Sequence, residues 1–186
     1  HHFPLTLHSE NQNNEIIRKF YGRLTLEHAS ALLYFHKNGI VQELIHNLKY
    51  KNRQEIGTLL GEWYAEDLKK IHAELSFDAI IPVPLHKKRM RERGYNQMTT
   101  FGQALSKSLQ IPLCENILHR DSYAKTQTKK NFLERTETKK SVFDVDFTEK
   151  DHHKHYLLID DVITTGSTLE QCGKALLKIP GAKLCI

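Results

Sequence analysis

The chain has 186 residues, of which 39% are hydrophobic and 26% are charged. This is the composition of an ordinary globular protein, and the length suffices for one domain with a hydrophobic core. Its apolar runs are far shorter than the ~20 residues that a membrane-spanning helix needs, so we expect no membrane insertion. The start shows no signal-peptide pattern, and the three cysteines are too scattered for a disulfide framework or a zinc site. We therefore expect a cytoplasmic protein.

The formal net charge of +5 leaves two interpretations open. A solvated, mildly basic surface accounts for it, and so does attraction to a phosphate-bearing ligand or to nucleic acid. The total charge does not separate the two, whereas the positions of the basic residues along the chain help to do so.

The first part of the chain predicts a strand and two helices. Residues 26–35 read as a strand, and Asn38-Gly39 has the chemistry of a tight turn. Apolar residues then recur at helical spacing over 40–48 and again over 56–71. Each of these patterns predicts a helix with one buried face.

The middle of the chain predicts a buried strand, a basic loop and a further helix. The strand covers 78–83 and is closed by Pro84, and the helix has its apolar face over 98–109. Residues 113–118 suggest another strand. Segment 120–141 is polar with little periodicity, and a loop of this length is typically functional or disordered.

The last part predicts a strand, a helix and the start of another strand. Residues 156–159 form a continuous apolar run, and a helix is expected over 167–179, where Pro180-Gly181 ends it. Residues 182–186 read as a strand that stops where the chain stops. We therefore expect a fragment that is truncated at its C-terminus.

The order of these elements predicts an α/β fold with a mostly parallel, doubly wound sheet, because strands alternate with helices. In such sheets, ligands bind beyond the carboxyl ends of the strands. Segments 84–94 and 160–168 each follow a predicted strand. We therefore expect both segments at the same edge of the sheet, within reach of one ligand.

The segment after the strand at 156–159 combines two carboxylates with a hydroxyl-rich loop. Asp160 and Asp161 can accept hydrogen bonds from a sugar diol. The loop and the helix N-terminus offer free N–H groups to a phosphate. The pattern predicts a ribose 5-phosphate site, and the alternative is that Ser167 or Thr168 merely caps the helix. The predicted phosphate contacts are Thr164, Thr165, Gly166, Ser167 and Thr168.

The run from Tyr156 to Thr168 resembles the signature with which type I phosphoribosyltransferases bind phosphoribosyl pyrophosphate (PRPP). The apolar strand, the acidic pair and the Thr-Thr-Gly-x-Thr end all match. The resemblance implies that Asp160 and Asp161 hold the ribose hydroxyls and that residues 164–168 hold the 5′-phosphate.

Five cations lie within residues 87–93, directly after a buried strand. Two interpretations are a solvated charged loop and a nucleic-acid patch that includes Tyr95. We favour a third, a cradle for pyrophosphate, because the dense negative charge of that group needs fixed cations or a metal ion. The predicted pyrophosphate contacts are Lys87, Arg89 and Arg93.

Several short elements together resemble the competence protein F (ComF) family. They are Pro82-Val83-Pro84 with the basic stretch, Arg93-Gly94-Tyr95-Asn96-Gln97, the earlier Leu48-Lys49-Tyr50, and the spacing of Gln127 and Arg135. With the PRPP-like run, the resemblance covers about residues 26–186.

The resemblance implies an architecture as well. The sheet would be of the type I phosphoribosyltransferase kind, with a small hood-like segment at 1–50 and a phosphoribosyltransferase-like domain at 51–186. Relatives often carry an N-terminal zinc ribbon with four cysteines, and this sequence has no cysteine before Cys114. Zinc is therefore expected only if such a module precedes the chain.

The resemblance finally implies a reaction, the transfer of phosphoribosyl from PRPP to an unidentified nucleophile, with release of pyrophosphate and a link to DNA uptake in natural competence. Mg²⁺ would neutralise the pyrophosphate, Asp160 and Asp161 would contribute to it only indirectly, and segment 120–141 would close over the site. No catalytic residue is identified. The alternative is a non-catalytic accessory protein that binds PRPP or single-stranded DNA and acts with other competence proteins.

Overall fold

The computed structural model describes residues 3–120 and 142–186. The predicted closing segment lies almost entirely outside these ranges, as do Gln127 and Arg135. The helices are α1 (Glu15–Lys19), α2 (Ile40–Tyr50), α3 (Glu55–Leu75), α4 (Lys87–Arg93), α5 (Met98–Leu109) and α6 (Ser167–Leu176). The strands are β1 (Ala79–Pro82), β2 (Leu118–Arg120), β3 (Phe143–Val145), β4 (His155–Ile159) and β5 (Lys183–Cys185).

The central sheet is parallel, with the strand order β1-β4-β5. In β1 and β4 every residue is buried, as expected for parallel strands that are covered on both faces. A separate antiparallel pair joins β2 to β3. The prediction of an α/β fold with a parallel sheet is therefore confirmed.

Successive residues of the central strands point to opposite faces of the sheet, and each face has its own apolar core. On one face, Ile81 and Leu158 pack in a cluster with side chains of α1 and α6. On the other face, Ile80 and Leu157 pack with side chains of α3 and α5. Helices on both faces explain why these strands are continuous apolar runs rather than alternating ones.

The packing of α3 on α5 is close because α3 contributes glycines to the contact. A Cβ at Gly61 would lie 2.6 Å from the carbonyl oxygen of Phe101, and a Cβ at Gly57 would lie 2.2 Å from Oγ1 of Thr100. Both distances are shorter than any side-chain contact allows, so the helices can approach this closely only where no side chain intervenes. This contact fixes the start of α5, which carries residues of the candidate site.

The basic segment 87–93 was predicted to be a loop, and this was wrong because it forms helix α4. Its lysine, arginine, methionine and glutamate residues all favour helix, and Gly94 ends it with a φ of 78°. Lys88 and Glu92 lie one turn apart with a separation of 3.8 Å between Nζ and Oε1. No residue of α4 is buried, so the segment has no apolar periodicity that could have indicated a helix.

The strand predicted over 26–35 is also wrong. The backbone of this segment forms hydrogen bonds to two separate parts of the chain, whereas a β-strand pairs continuously with one neighbouring strand. The Glu27 N–H donates to the Leu184 carbonyl beside β5, whereas the Leu32 carbonyl accepts from Thr6 near the N-terminus. The strand predicted over 113–118 is shifted, since only Leu113 forms an isolated bridge to Ile80 and β2 begins at Leu118.

Within the described ranges, no helix combines the length and the apolar content that a membrane crossing requires.

Candidate functional site

The segments that follow β1 and β4 start at the same edge of the sheet. These two strands are parallel neighbours with Pro82 opposite Ile159, so the chain leaves both of them on one side. Side-chain contacts then join the two segments. The amide of Gln97 donates from Nε2 to Oδ2 of Asp161 at 2.6 Å. The parallel register confirms that segments 84–94 and 160–168 leave the sheet at one edge, and the side-chain contact is made by Gln97, just beyond the first segment.

Asp161 is the best-anchored carboxylate at this edge. In addition to the Gln97 contact at Oδ2, its Oδ1 accepts a hydrogen bond from Nζ of Lys49 at 2.8 Å. The Asp161 side chain is 8% exposed and the Lys49 side chain 20%, so this ion pair is largely shielded from solvent. A shielded pair with a second hydrogen bond holds its geometry far better than an exposed pair does.

Asp160 has a different environment. Its Oδ1 accepts the backbone N–H of Asp161 at 2.8 Å, and no side chain among the described residues donates a hydrogen bond to it. Burial, and secondarily the neighbouring charge of Asp161, raise the pKa of Asp160 to about 7. Lys49 opposes this effect. The thiol of Cys172 also lies close enough to be influenced by Asp160.

The raised pKa of Asp160 predicts a pH dependence of stability. The folded protein keeps the Asp160 proton up to about pH 7, whereas the unfolded chain loses it near pH 4. Between these values the native state binds more protons, so the free energy of unfolding should fall as the pH rises from about 4 to about 7. Asp160→Asn should flatten this part of the profile, as measured by urea unfolding at several pH values. An unchanged slope in the variant would contradict the assignment.

The hydroxyl-rich loop ends at the N-terminus of α6, as predicted. Gly166 is the N-cap residue with a φ of 75°, and the N–H of Ser167 donates to Oγ1 of Thr165 at 3.3 Å. Ser167 and Thr168 are the first two residues of the helix, so the N-cap position that the alternative gave to one of them belongs to Gly166. Thr164, Thr165, Ser167 and Thr168 are all exposed, while Gly166 is buried.

Arg23, from the N-terminal part of the chain, forms hydrogen bonds to this loop and to α6. Nη1 of Arg23 donates to the Thr165 carbonyl at 3.0 Å. The same guanidinium donates to Oε2 of Glu170 in α6, at 2.9 Å from Nε and 2.5 Å from Nη2. A planar fork that binds the loop and the helix at once ties their relative positions.

Of the predicted basic contacts, Arg93 is the one that the structure links to the acidic pair. Its Nη1 donates to Oε1 of Gln97 at 2.6 Å, and Gln97 in turn binds Asp161. The guanidinium carbon also lies 5.1 Å from the ring centre of Tyr50. Lys87 and Arg89 lie on α4 with their side chains exposed to solvent.

A cavity of about 470 Å³ adjoins the acidic pair. It lies between the N-terminal segment, α2, α3 and the carboxyl end of β4, and its walls are mainly apolar, with Leu44 and Leu60 among them. Asp160 and Asp161 line it as well. His8, which is 5% exposed, also lines it, and within the described part of the chain its Nδ1 has no hydrogen-bond partner.

Histidines are concentrated at residues 152–155, directly before and at the start of β4. Across residues 3–120 and 142–186, no three His, Cys, Asp or Glu side chains are grouped so that they could hold a metal ion. His155 is a buried residue of β4. Its Nδ1 lies 2.8 Å from the Leu75 carbonyl and its Nε2 lies 3.1 Å from Sγ of Cys185.

Comparison with known proteins identifies the family. No family model matches the chain. Competence protein F of Haemophilus influenzae is 36% identical to it over 140 residues, which cover 73% of this chain and 61% of that protein. The chain belongs to the competence protein F family. The resemblance to the ComF family stated from the sequence motifs is thereby confirmed.

Other relatives carry related names. The DNA utilization protein YhgH of Escherichia coli K12 is 31% identical over 140 residues, which cover 73% of this chain and 60% of that protein. Competence protein ComFC of Bacillus subtilis is 26% identical over 175 residues, which cover 94% of this chain and 69% of that protein. This ComF-family chain therefore spans about 60% of the length of the first two relatives.

Sequence reasoning missed three contributors to this ComF-family site. Lys49 was noticed only as part of a family element, Gln97 was given no role, and Arg23 was not considered. Lys49 and Asp161 are 112 positions apart, and Arg23 and Thr165 are 142 apart. A local sequence pattern cannot predict contacts between residues so far apart in the chain. The position of Lys49 at the end of an amphipathic helix was only a weak indication of its role.

Proposed function

We propose that the protein binds PRPP and transfers its phosphoribosyl group to a nucleophile, with release of pyrophosphate. The observation that carries this proposal is the convergence of an acidic pair, an exposed hydroxyl-rich loop and Arg93 at one edge of a parallel sheet. These three features suit the diol, the 5′-phosphate and the pyrophosphate of one ligand. The fold is accordingly proposed to be of the type I phosphoribosyltransferase kind, with residues 1–50 as a hood over residues 51–186.

Each part of the ligand has a matching group. The 5′-phosphate would bind the backbone N–H groups at the start of α6 and the exposed hydroxyls of 164–168. The ribose hydroxyls would donate to the acidic pair. The pyrophosphate would face Arg93, with Lys87 and Arg89 of α4 contributing longer-range positive charge.

Mg²⁺ fits this arrangement as a cation carried mainly by the pyrophosphate oxygens. Asp160 receives no side-chain hydrogen bond from the described residues, so its carboxylate is the protein group available to support the ion, directly or through water. When bound, Mg²⁺ would neutralise charge on the leaving pyrophosphate. Zinc belongs to the proposal only if a cysteine-rich module precedes this chain.

The chemistry would depend on positioning rather than on a strong base. The bond from the anomeric carbon to pyrophosphate would break as the bond to the nucleophile forms, and the electron pair would leave with the pyrophosphate. The guanidinium of Arg93 would stabilise that developing charge, and the site would hold the two reactants in line. The apolar cavity beside the acidic pair offers space for the nonpolar part of an acceptor.

The setting that we propose is the uptake or use of DNA, because relatives are named for competence and for DNA utilization. A second candidate function is a non-catalytic accessory role in which PRPP or single-stranded DNA is only bound. The exposed cations of α4 and the aromatic residue Tyr50, which is 65% exposed and lies beside Arg93, favour a DNA surface. Both functions would be exercised in the cytoplasm.

Calorimetry with PRPP tests the proposal. We expect binding in the presence of Mg²⁺ and much weaker binding without it. An Asp160→Asn/Asp161→Asn double variant should bind at least ~10-fold more weakly, because a charged hydrogen bond contributes ~1.5–3 kcal/mol. Glu62→Gln, which changes an exposed carboxylate on α3, is the matched control and should bind normally.

An absence of PRPP binding by the wild-type protein would contradict the proposal, as would equal affinity in the double variant. Pyrophosphate release then separates the enzyme from the accessory protein. Release that depends on an added acceptor indicates a transferase, whereas tight binding without release across candidate acceptors favours the accessory role.

A further inference from the structure

The hydroxyl-rich loop 164–168 receives one hydrogen bond from beyond itself and α6 within the described ranges. It runs from Nη1 of Arg23 to the Thr165 carbonyl at 3.0 Å. The remaining hydrogen bonds of the loop are internal or lead into α6, such as the one from the Ser167 N–H to Oγ1 of Thr165 at 3.3 Å. We propose that Arg23 is a positioning residue, which holds the loop in the conformation that binds the 5′-phosphate. This inference rests on the proposed function, since the 5′-phosphate belongs to PRPP.

The guanidinium of Arg23 is itself held at all three of its nitrogens. Nε and Nη2 donate to Oε2 of Glu170 at 2.9 and 2.5 Å, and Nη1 also donates to the Lys19 carbonyl at 3.2 Å. Oε1 of Glu170 accepts from Lys174 at 2.6 Å, so both oxygens of this carboxylate are engaged. Because the guanidinium is planar, contacts at three nitrogens set its orientation. The donor that meets the Thr165 carbonyl is therefore in place before a ligand binds.

The contact with Arg23 orients the peptide group between Thr165 and Gly166. In a trans peptide the C=O and the N–H point in opposite directions. A donor on the Thr165 carbonyl therefore keeps the Gly166 N–H directed away from Arg23, and no residue that the structure describes accepts this N–H. A phosphate oxygen can bind an N–H of this kind without displacing a protein acceptor. Arg23 would thus act on the phosphate through the loop backbone and not by touching the ligand.

The close packing of the N-terminal segment on the loop and α6 brings Arg23 to this position. A Cβ at Gly166 would lie 3.0 Å from Cζ of Phe20, and a Cβ at Gly173 would lie 2.5 Å from Cδ2 of Leu24. The segment can lie this near only because both positions lack side chains. Its arginine then reaches a carbonyl that is 142 positions away in the chain. The structure thereby couples the N-terminal part of the protein to the loop.

Calorimetry with ribose 5-phosphate and with pyrophosphate tests the proposal. Arg23→Met should weaken ribose 5-phosphate binding by about tenfold or more, because a released loop no longer presents its donors together. Pyrophosphate is proposed to bind at Arg93, so its affinity should change by less than about threefold. Arg18→Met removes an exposed arginine of α1 and is the matched control, with both affinities retained. Unchanged ribose 5-phosphate affinity in Arg23→Met would overturn the proposal.

Two further variants separate positioning from stability and from charge. Glu170→Gln removes the ion pair but keeps an oxygen that can accept from Arg23. It should lower Tm about as much as Arg23→Met does, and it should weaken ribose 5-phosphate binding by less than about threefold. Arg23→Lys keeps the charge but cannot bind the loop and α6 together, so it should recover only part of the affinity.

Three outcomes would overturn the positioning role in different ways. Affinity losses that follow the Tm losses in both Arg23→Met and Glu170→Gln would show that Arg23 acts through stability alone. Full recovery by Arg23→Lys would show that its charge alone acts. Equal losses for ribose 5-phosphate and pyrophosphate in Arg23→Met would show a general disruption of the site. If Arg23→Met does not fold, Arg23→Lys carries the comparison, with a partial loss for ribose 5-phosphate and none for pyrophosphate.

The wild-type protein distinguishes a failure of this inference from a failure of the proposed function. If the wild type binds ribose 5-phosphate and Arg23→Met binds it equally well, the proposed function stands and the role of Arg23 fails. If the wild type binds neither ribose 5-phosphate nor PRPP, both fail together.

Discussion

Gly166→Ala is expected to lower the stability of the protein and to weaken PRPP binding by at least about tenfold. Gly166 has a φ of 75°, where an L-residue costs ~1–2 kcal/mol. A Cβ at this position would also lie 3.0 Å from Cζ and 3.1 Å from Cε1 of Phe20. Phe20 is fully buried, so its ring has little room to move away. Relief of the contact must displace the loop, and the loop carries the proposed phosphate donors.

Gly22→Ala separates the backbone cost of a positive φ from the cost of the contact with Phe20. Gly22 has a φ of 70°, and a Cβ there would meet no atom within 4 Å. It should show the backbone cost alone, whereas Gly166→Ala should add ~1–3 kcal/mol from overpacking. Urea unfolding measures the difference, and calorimetry with inorganic phosphate and with PRPP measures the binding. Equal destabilisation by the two variants would show that the Phe20 contact has no effect, and normal phosphate binding by Gly166→Ala would exclude the loop as the phosphate site.

Sequence periodicity predicted the strands and helices whose apolar patterns are explained by burial alone. The runs of β1 and β4 are apolar throughout because helices cover both faces of the sheet, and α3 and α5 each show a clear apolar face. The basic helix α4 was missed because it buries nothing. Its helix-favouring residues and the following Gly94 were the only available signal, and helix propensity alone is weak.

Part of the candidate site could likewise be predicted from the sequence, and part could not. The acidic pair and residues 164–168 are contiguous, so the sequence itself holds them together and a local pattern suffices to find them. The anchor formed by Lys49, Asp161 and Gln97 depends on where α2 ends relative to the sheet, and that is a property of the tertiary fold. The different environments of Asp160 and Asp161 follow from these contacts, and the sequence alone could not distinguish them.

The basic segment 87–93 shows why contacts set by the tertiary fold matter for function. The sequence treated the five cations of 87–93 as one group. The structure separates them, since Arg93 is half-buried and bound to Gln97 while Lys87, Lys88, Arg89 and Arg91 are exposed on α4. A fixed guanidinium suits recognition of one ligand group, and exposed cations on a short helix suit a long-range field or a flexible polyanion.

Arg93→Ala is therefore expected to weaken binding of PRPP and of pyrophosphate by about 10- to 100-fold, because a charged hydrogen bond contributes ~1.5–3 kcal/mol. Ribose 5-phosphate lacks the pyrophosphate group, so its affinity should change by less than about threefold. Calorimetry with the three ligands measures this pattern. Arg91→Ala removes an exposed arginine of the same helix and is the matched control, with all three affinities retained.

The same variants distinguish pyrophosphate from DNA as the partner of the basic helix. If the cations serve nucleic acid, Lys87→Ala, Arg89→Ala and Arg91→Ala should flatten the salt dependence of single-stranded DNA affinity and leave PRPP unaffected. Arg93→Lys keeps the charge but loses the planar fork, so it should recover only part of the PRPP affinity. Equal losses of PRPP and ribose 5-phosphate in Arg93→Ala would mean that Arg93 supports the acidic pair through Gln97 and does not contact pyrophosphate. In that case the pyrophosphate site would have to be sought among the exposed residues of α4.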